Sequence, residues 1–185
     1  MKKKLILAIL CLLCVCGVSA SATLAYLIAA PAPVENTFTI GQIDITLDET
    51  TGNSYQLIPG ATVKKDPKVT VKSGSENCWV FVQVETANGL DQYITYGIND
   101  GWTSLGGFAG VYYLQYYQSN ADQTYSVLKD DQIAINDALT EDKMNAITVA
   151  PTFTVTAYAV QSHSVESAVD AWNIVRTETN SETGV

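Results

Sequence analysis

Cys78-Trp79-Val80-Phe81-Val82-Gln83-Val84 is apolar on both sides of an extended backbone. Successive side chains of a strand point to opposite faces, so Val80, Val82 and Val84 share one face and Trp79 and Phe81 the other. Such a strand needs cover above and below, which predicts a central strand. The same two-residue period continues upstream. Val69 and Val71 alternate before a turn at Ser73-Gly74-Ser75, and Pro59-Gly60 marks an earlier turn. Phe38 and Ile40 alternate with polar neighbours, and Ile43, Ile45 and Leu47 do so in the opposite phase. A one-residue slip at Gly41-Gln42 brings both sets to one face, which is what a bulge does.

Downstream, Val111 to Tyr117 is a strand by composition, and Tyr125 to Leu128 reads as its neighbour across a turn containing Asn120. Leu90, Tyr93 and Ile94 sit at helical spacing until Gly97. Thr140 is an N-cap candidate, with Glu141 and Asp142 in the first turn and Met144 and Ile147 on the apolar side. Phe153, Val155, Ala157 and Ala159 alternate with Thr152, Thr154, Thr156 and Tyr158, predicting a long strand with one apolar face. Val165, Ala168, Val169 and Trp172 recur at i, i+3, i+4 and i+7, the pattern of an amphipathic helix. Many closely spaced strands with short helices in the connections predict a mainly β fold. The expected form is a two-sheet antiparallel sandwich of jelly-roll or immunoglobulin-like kind.

The chain opens with Lys2-Lys3-Lys4, an apolar run from Leu5 to Val18, and the small-residue stretch Ser19-Ala20-Ser21-Ala22-Thr23-Leu24-Ala25-Tyr26. Charge, short apolar core and small residues in that order predict a secretory signal peptide, cut after Ala22 or after Ala25; the competing reading is a retained anchor. A lipid-attachment site is disfavoured because Leu13 and Val15, where a small residue is needed, precede Cys14 and Cys16. The expected organisation is a leader over 1–25, an extended arm over 26–35 stiffened by Pro31 and Pro33, a β domain over 36–176 and a polar tail over 177–185. Cleavage removes Cys11, Cys14 and Cys16, leaving Cys78 alone, so no internal disulfide is expected. It also removes Lys2, Lys3 and Lys4, leaving seven basic residues against 19 acidic ones, a net charge of −12. A polyanion of this kind is repelled by nucleic acid, which is set aside as a partner.

The Lys-rich leader, Thr23-Leu24-Ala25-Tyr26 and Asn36-Thr37-Phe38-Thr39-Ile40-Gly41-Gln42-Ile43-Asp44-Ile45-Thr46-Leu47-Asp48-Glu49 together resemble the TasA/camelysin family of exported proteins of Gram-positive bacteria. Leu57-Ile58-Pro59-Gly60, Lys65-Asp66-Pro67, Val69-Thr70-Val71, Ala157-Tyr158-Ala159-Val160-Gln161 and Ala171-Trp172-Asn173 extend the likeness over most of the chain. The resemblance implies cleavage between Ala25 and Tyr26 by a dedicated signal peptidase of the SipW kind, a jelly-roll sandwich, and a place in extracellular fibres or a cell-surface layer. It departs from the family at Leu27 to Val34, which is apolar and Pro-rich where members often carry an acidic Thr-Asp-like run.

Because some relatives are labelled metallo-endopeptidases, a zinc site has to be weighed. Zinc hydrolysis wants three protein ligands, usually two histidines at i, i+4 with a nearby glutamate. After cleavage the chain has a single histidine, His163, flanked by serines and read as an exposed loop residue. Cys78 with His163 is the only Cys/His combination, but its place at the head of an apolar strand predicts a buried, inert thiol, with an intermolecular disulfide as the alternative. The carboxylate pairs Asp48-Glu49, Asp130-Asp131 and Glu141-Asp142 lack glycosidase context or calcium-loop spacing and read as solvated turns, with weak calcium binding as the alternative. Trp102, Tyr112, Tyr113, Tyr116 and Tyr117 are candidates for a sugar-stacking platform, but alternation puts Tyr113 and Tyr117 on one side and Tyr112 and Tyr116 on the other, so at least one set is expected to face the core.

The expectation is a secreted structural protein of the biofilm matrix or cell surface, with no catalytic residues and no cofactor. It assembles into fibres by lending its arm, Tyr26, Leu27, Ile28, Val34 and Phe38, to the sheet edge of the next copy. Its partners are further copies of itself, other matrix proteins or polysaccharide, and a SipW-type peptidase during export. The alternatives are a camelysin-like extracellular metallo-endopeptidase and a monomeric glycan-binding surface module.

Overall fold

The structure, a computed structural model, describes residues 42–51, 55–137, 139, 140, 143, 144 and 147–182. The chain divides into two units, Met1–Thr39 and Ile40–Val185, and everything described lies in the second. The leader, the arm and the bulge at Gly41 therefore lie outside the described residues.

Among these residues the fold is mainly β and every strand pair is antiparallel. The strands are β1 (Ile45–Asp48), β2 (Thr62–Lys64), β3 (Lys68–Val71), β4 (Cys78–Ala87), β5 (Ile94–Thr95), β6 (Thr103–Ser104), β7 (Val111–Tyr116), β8 (Gln123–Ser126), β9 (Gln132–Ile135) and β10 (Thr152–Gln161), followed by helix α1 (Ala168–Glu182). They form three sheets where two were expected, in the orders β1-β3-β8, β10-β4-β7-β6 and β2-β9-β5. The third exists because the short strands around Val63, Ile94 and Ile133 pair with one another and join neither larger sheet.

The reading of Cys78 to Val84 holds. β4 is internal to its sheet, paired along its whole length with β10 and from Cys78 to Gln83 with β7. Val80, Val82 and Val84 are buried in a cluster with Val69 and Val71 of β3, Leu114 and Tyr116 of β7, and Trp102 and Val127. Ile43, Ile45, Phe153, Val155, Ala157 and Ala159 pack on its margin. The first two sheets thus share one apolar cluster, in which each fully buried aliphatic side chain contributes about 1.5–3 kcal/mol over exposure. On the other face of β4, Phe81 packs with Leu105, Val111 and the α1 residues Ala168, Ala171, Trp172 and Val175. The Phe81 and Trp172 rings are 5.2 Å apart, and the Trp79 indole N–H donates to the Val165 carbonyl at 3.1 Å, tying the loop before α1 to the sheet.

Several local expectations are corrected. Tyr125 does not neighbour β7: β8 crosses to the other sheet and pairs with β3, Val69 opposite Tyr125. Leu90 to Gln92 is a single 3₁₀ turn leading straight into β5, because Asn88 and Gly89 both hold positive φ and leave one turn of chain before pairing resumes. Val169 is 41 % exposed; the buried stripe of α1 is Ala168, Ala171, Trp172 and Val175, and the helix runs on to Glu182, well into the segment read as a polar tail. The Pro59-Gly60 turn is present, with the Ala61 N–H donating to the Ile58 carbonyl at 3.0 Å and Gly60 at φ +74°, a left-handed position that glycine fills without strain. Around Thr140 the Met144 N–H reaches the Thr140 carbonyl at 3.0 Å, as in a first helical turn, while Glu141 and Asp142 lie outside the described residues.

Candidate functional site

β10 reads Thr-Phe-Thr-Val-Thr-Ala-Tyr-Ala-Val-Gln, ten residues with no charge, proline or glycine. It pairs with β4 from Thr152 opposite Ala87 to Gln161 opposite Cys78, and no strand among the described residues pairs with its other edge. β1 of the first sheet comes close to it without pairing. In an antiparallel strand the N–H and C=O groups of alternate residues point to opposite edges, so half of the main-chain groups of β10 face outward. The other edge strands are short: β1 has four residues and ends at Asp48, β8 has four, β2 has three and ends at Lys64, and β5 and β6 have two each. Natural edge strands are blunted by shortness, lysine, proline or bulges. β10 has none of these protections, and it lends itself to pairing with a further strand.

Beside the start of β10 an open cavity of about 810 Å³ lies between the sheets, lined by apolar side chains that include Leu47, Leu57, Ile94, Ile133, Met144 and Phe153. Its lining also holds Glu49, Tyr55 and Lys65. The Lys65 ammonium lies 2.8 Å from both Glu49 carboxylate oxygens, and the Tyr55 hydroxyl donates to Glu49 at 2.6 Å. The same ammonium sits over the Tyr55 and Phe153 rings at 5.3 and 5.6 Å. Next along the chain, the Asp66 carboxylate accepts from the Thr50 N–H at 2.9 Å, the Thr50 hydroxyl at 2.7 Å and the Thr51 N–H at 3.1 Å. These bonds fasten residues 49–51 onto the β2–β3 connection.

The electrostatics follow from those contacts. The Thr50 hydroxyl is the chief influence on Asp66, and with the two backbone donors it outweighs partial desolvation and holds the carboxyl far below its usual range. Burial pulls the Glu49 carboxyl up, but the bonds from Lys65, Tyr55 and Thr51 together outweigh it and leave it lowered. In the sequence Glu49, Lys65 and Asp66 all fall in stretches that carry the family likeness, and Asp48-Glu49 reads otherwise as a solvated turn or weak calcium site; the structure makes Glu49 the partner of Lys65. The signal available was the Lys65-Asp66-Pro67 run, where two charges directly precede a proline and a Val-Thr-Val strand.

Of the other singled-out residues, Cys78 is fully buried and unpaired, and burial pushes its thiol up to about 11, as the inert reading requires. His163 lies exposed in the turn after β10. No group of three or more His, Cys, Asp or Glu side chains among the described residues is arranged to hold a metal ion. Asp131 is not simply solvated, since it accepts from the Ser126 hydroxyl and lies 3.8 Å from Lys68. The aromatic group does not form a platform. Trp102 and Tyr116 are buried in the main cluster, Tyr112 packs against it, and Tyr113 packs on the α1 side with Trp79 at 5.8 Å. Only Tyr117, 66 % exposed, faces solvent. Both faces of β7 are covered, which removes the stacking surface. Ala25, Tyr26, Leu27, Ile28, Val34 and Phe38 lie outside the described residues. No helix among those described is long and apolar enough to cross a membrane. Comparison with protein-family models, with curated proteins and with solved structures returns no match.

Proposed function

We propose that this is a secreted structural protein of the biofilm matrix or cell surface, a TasA/camelysin-like subunit that forms fibres by strand donation and has no reaction to catalyse. The observation that carries the reading is the long, uncharged, unpaired edge of β10. An extended segment from another copy gains main-chain hydrogen bonds along that edge, and its alternate side chains set the register. The leader-like start of the chain and its acidic balance support export and extracellular solubility. The apolar cluster shared by the first two sheets supports a sandwich of jelly-roll or immunoglobulin-like kind, with the third sheet as an addition.

The donor in this reading is the arm from Tyr26 to Thr39. A strand of 14 residues spans about 46 Å at roughly 3.3 Å each, ample for the ten residues of β10. Its sequence favours one pairing parity. Tyr26, Ile28, Ala30, Ala32, Val34 and Phe38 all occupy even positions, and Pro31 and Pro33 both occupy odd ones. Prolines lack an N–H and are tolerated in a strand where that N–H would face away from the partner. Even residues therefore pair with β10 and odd residues, Leu27 and Ala29 among them, direct their main-chain groups outward; from Ala30 to Phe38 the apolar side chains other than the two prolines share one face. Deleting Tyr26 to Val34 tests the reading: electron microscopy of the processed protein is expected to show fibres, and the deleted form only monomer. Fibres from the deleted form would overturn strand donation by the arm.

A further inference from the structure

We propose that the hollow between α1 and the loop over residues 107–109 binds an acidic sugar, a hexuronate whose carboxylate is taken by Arg176. This cavity, about 540 Å³, is separate from the β10 edge, and the proposal does not depend on strand donation. It is bounded by Gln83 of β4, Phe108 and Gly107 of the loop, Tyr158 of β10, and Trp172 and Arg176 of α1.

Arg176 is the sole arginine of the chain. It stands one helical turn after Trp172, whose indole packs against the sheet, so its side chain leaves the helix at the rim of the hollow. The guanidinium lies over the Phe108 ring, 5.5 Å from its centre. Cation–π attraction draws the guanidinium to that ring and does not consume its N–H groups, which can donate to a ligand. Lys65, Lys68 and Lys72 have carboxylate partners among the described residues, whereas Arg176, like Lys64 and Lys129, has none there; of these three only Arg176 lines the hollow. In a chain with 19 acidic residues, an arginine stacked on an aromatic ring at the rim of a cavity and paired with no acid is available to a carboxylate from outside.

The rest of the lining suits a sugar ring better than an aromatic acid. The Gln83 amide nitrogen is engaged by Glu85 at 3.0 Å, which leaves its carbonyl oxygen to accept from a ligand hydroxyl. Tyr158 and Phe108 both stand edge-on to Trp172, at 5.5 and 6.5 Å, and that indole is itself buried, so the hollow does not offer the broad indole face that a flat aromatic acid would stack on. The exposed lining of the hollow is more polar than apolar, which suits a hydroxyl-bearing ring better than a flat apolar one.

The test is a titration of purified protein, followed by tryptophan fluorescence and by calorimetry, with glucuronate, glucose and benzoate. Glucuronate is expected to bind at least tenfold more tightly than either of the others. R176A should abolish that preference and R176K should weaken glucuronate binding about tenfold, since a point charge replaces the fork. Arg176 is exposed, so both variants are expected to keep the wild-type unfolding midpoint, which is measured alongside. Equal binding of glucose and glucuronate, benzoate binding as tight as glucuronate, or an unchanged isotherm in a folded R176A would each overturn the proposal. Fibre formation does not enter this readout, so failure here leaves strand donation standing.

Discussion

The Lys65 ammonium and the Glu49 carboxylate, 16 residues apart in sequence, meet at 2.8 Å through both carboxylate oxygens, with the lysine side chain 8 % exposed and the glutamate 25 %. Removing one partner of a fully buried ion pair costs about 3–5 kcal/mol, because the other charge is left uncompensated. Glu49 keeps some water, so Lys65→Ala is expected to cost less, about 1–3 kcal/mol. Lys65→Met keeps the aliphatic stem against Tyr55 and Phe153 and should lose clearly less than the alanine variant. Urea unfolding midpoints at neutral pH read both; equal midpoints for wild type and Lys65→Ala would show the pair to be incidental.

Acid should loosen the same corner. Asp66 and Glu49 are both lowered from their ordinary values of 3.8 and 4.5. A carboxyl depressed in the folded state contributes stability that is fully present above its unfolded value and is lost as pH falls toward its folded one. Stability is therefore expected to be level with respect to these groups above about pH 5 and to decline below about pH 4.5. Asp66→Asn should start lower and show a shallower decline between pH 5 and pH 3. Parallel decline in wild type and variant, measured by urea midpoint against pH, would remove Asp66 from the account.

Much of the sheet was legible because burial on two faces leaves a mark every second residue. Val80, Val82 and Val84 against Trp79 and Phe81 predicted the central strand, and Phe153 to Ala159 predicted the long one. Pairing partners were not legible: nothing local to Tyr125 records that it faces Val69 across the other sheet and not its predecessor β7. The Leu90 spacing misled because three positions suffice to suggest a helix, while Asn88 and Gly89 had already taken left-handed conformations. Alternation separates Tyr113 from Tyr112 and Tyr116 on β7, but that both faces are covered, one by the other sheet and one by α1, is a tertiary fact. The end of α1 was hidden because Thr177, Glu178 and Thr179 are exposed, and a solvated helical turn has the composition of a tail. The Glu49–Lys65 contact and the unpaired edge of β10 are tertiary facts, and only the uncharged composition of β10 hinted at the second.

A charge on the receiving strand should block assembly without disturbing the fold. Thr154 is exposed on β10 and lies on the face opposite to Phe153 and Val155. Thr154→Lys introduces the protection that natural edges use and that β10 lacks. The variant is expected to unfold within about 0.5 kcal/mol of wild type, as surface substitutions do, yet to give no fibres by light scattering. Normal growth of Thr154→Lys would move the receiving edge elsewhere.

The parity of the arm gives a paired comparison. Ala30→Pro removes an N–H that the proposed register directs at β10, whereas Ala29→Pro removes one directed away. Fibre yield should fall at least tenfold for Ala30→Pro and stay within twofold for Ala29→Pro. The reverse order would establish the opposite register.

Amide hydrogen exchange along β10, compared between monomer and fibre, tests strand donation most directly. Every second N–H from Thr152 to Gln161 is already bonded to β4, and the intervening ones face the open edge. Assembly is predicted to slow exchange at the intervening amides by at least a hundredfold, with the β4-facing set little changed. Fibres in which those outward amides still exchange as they do in the monomer would contradict the account.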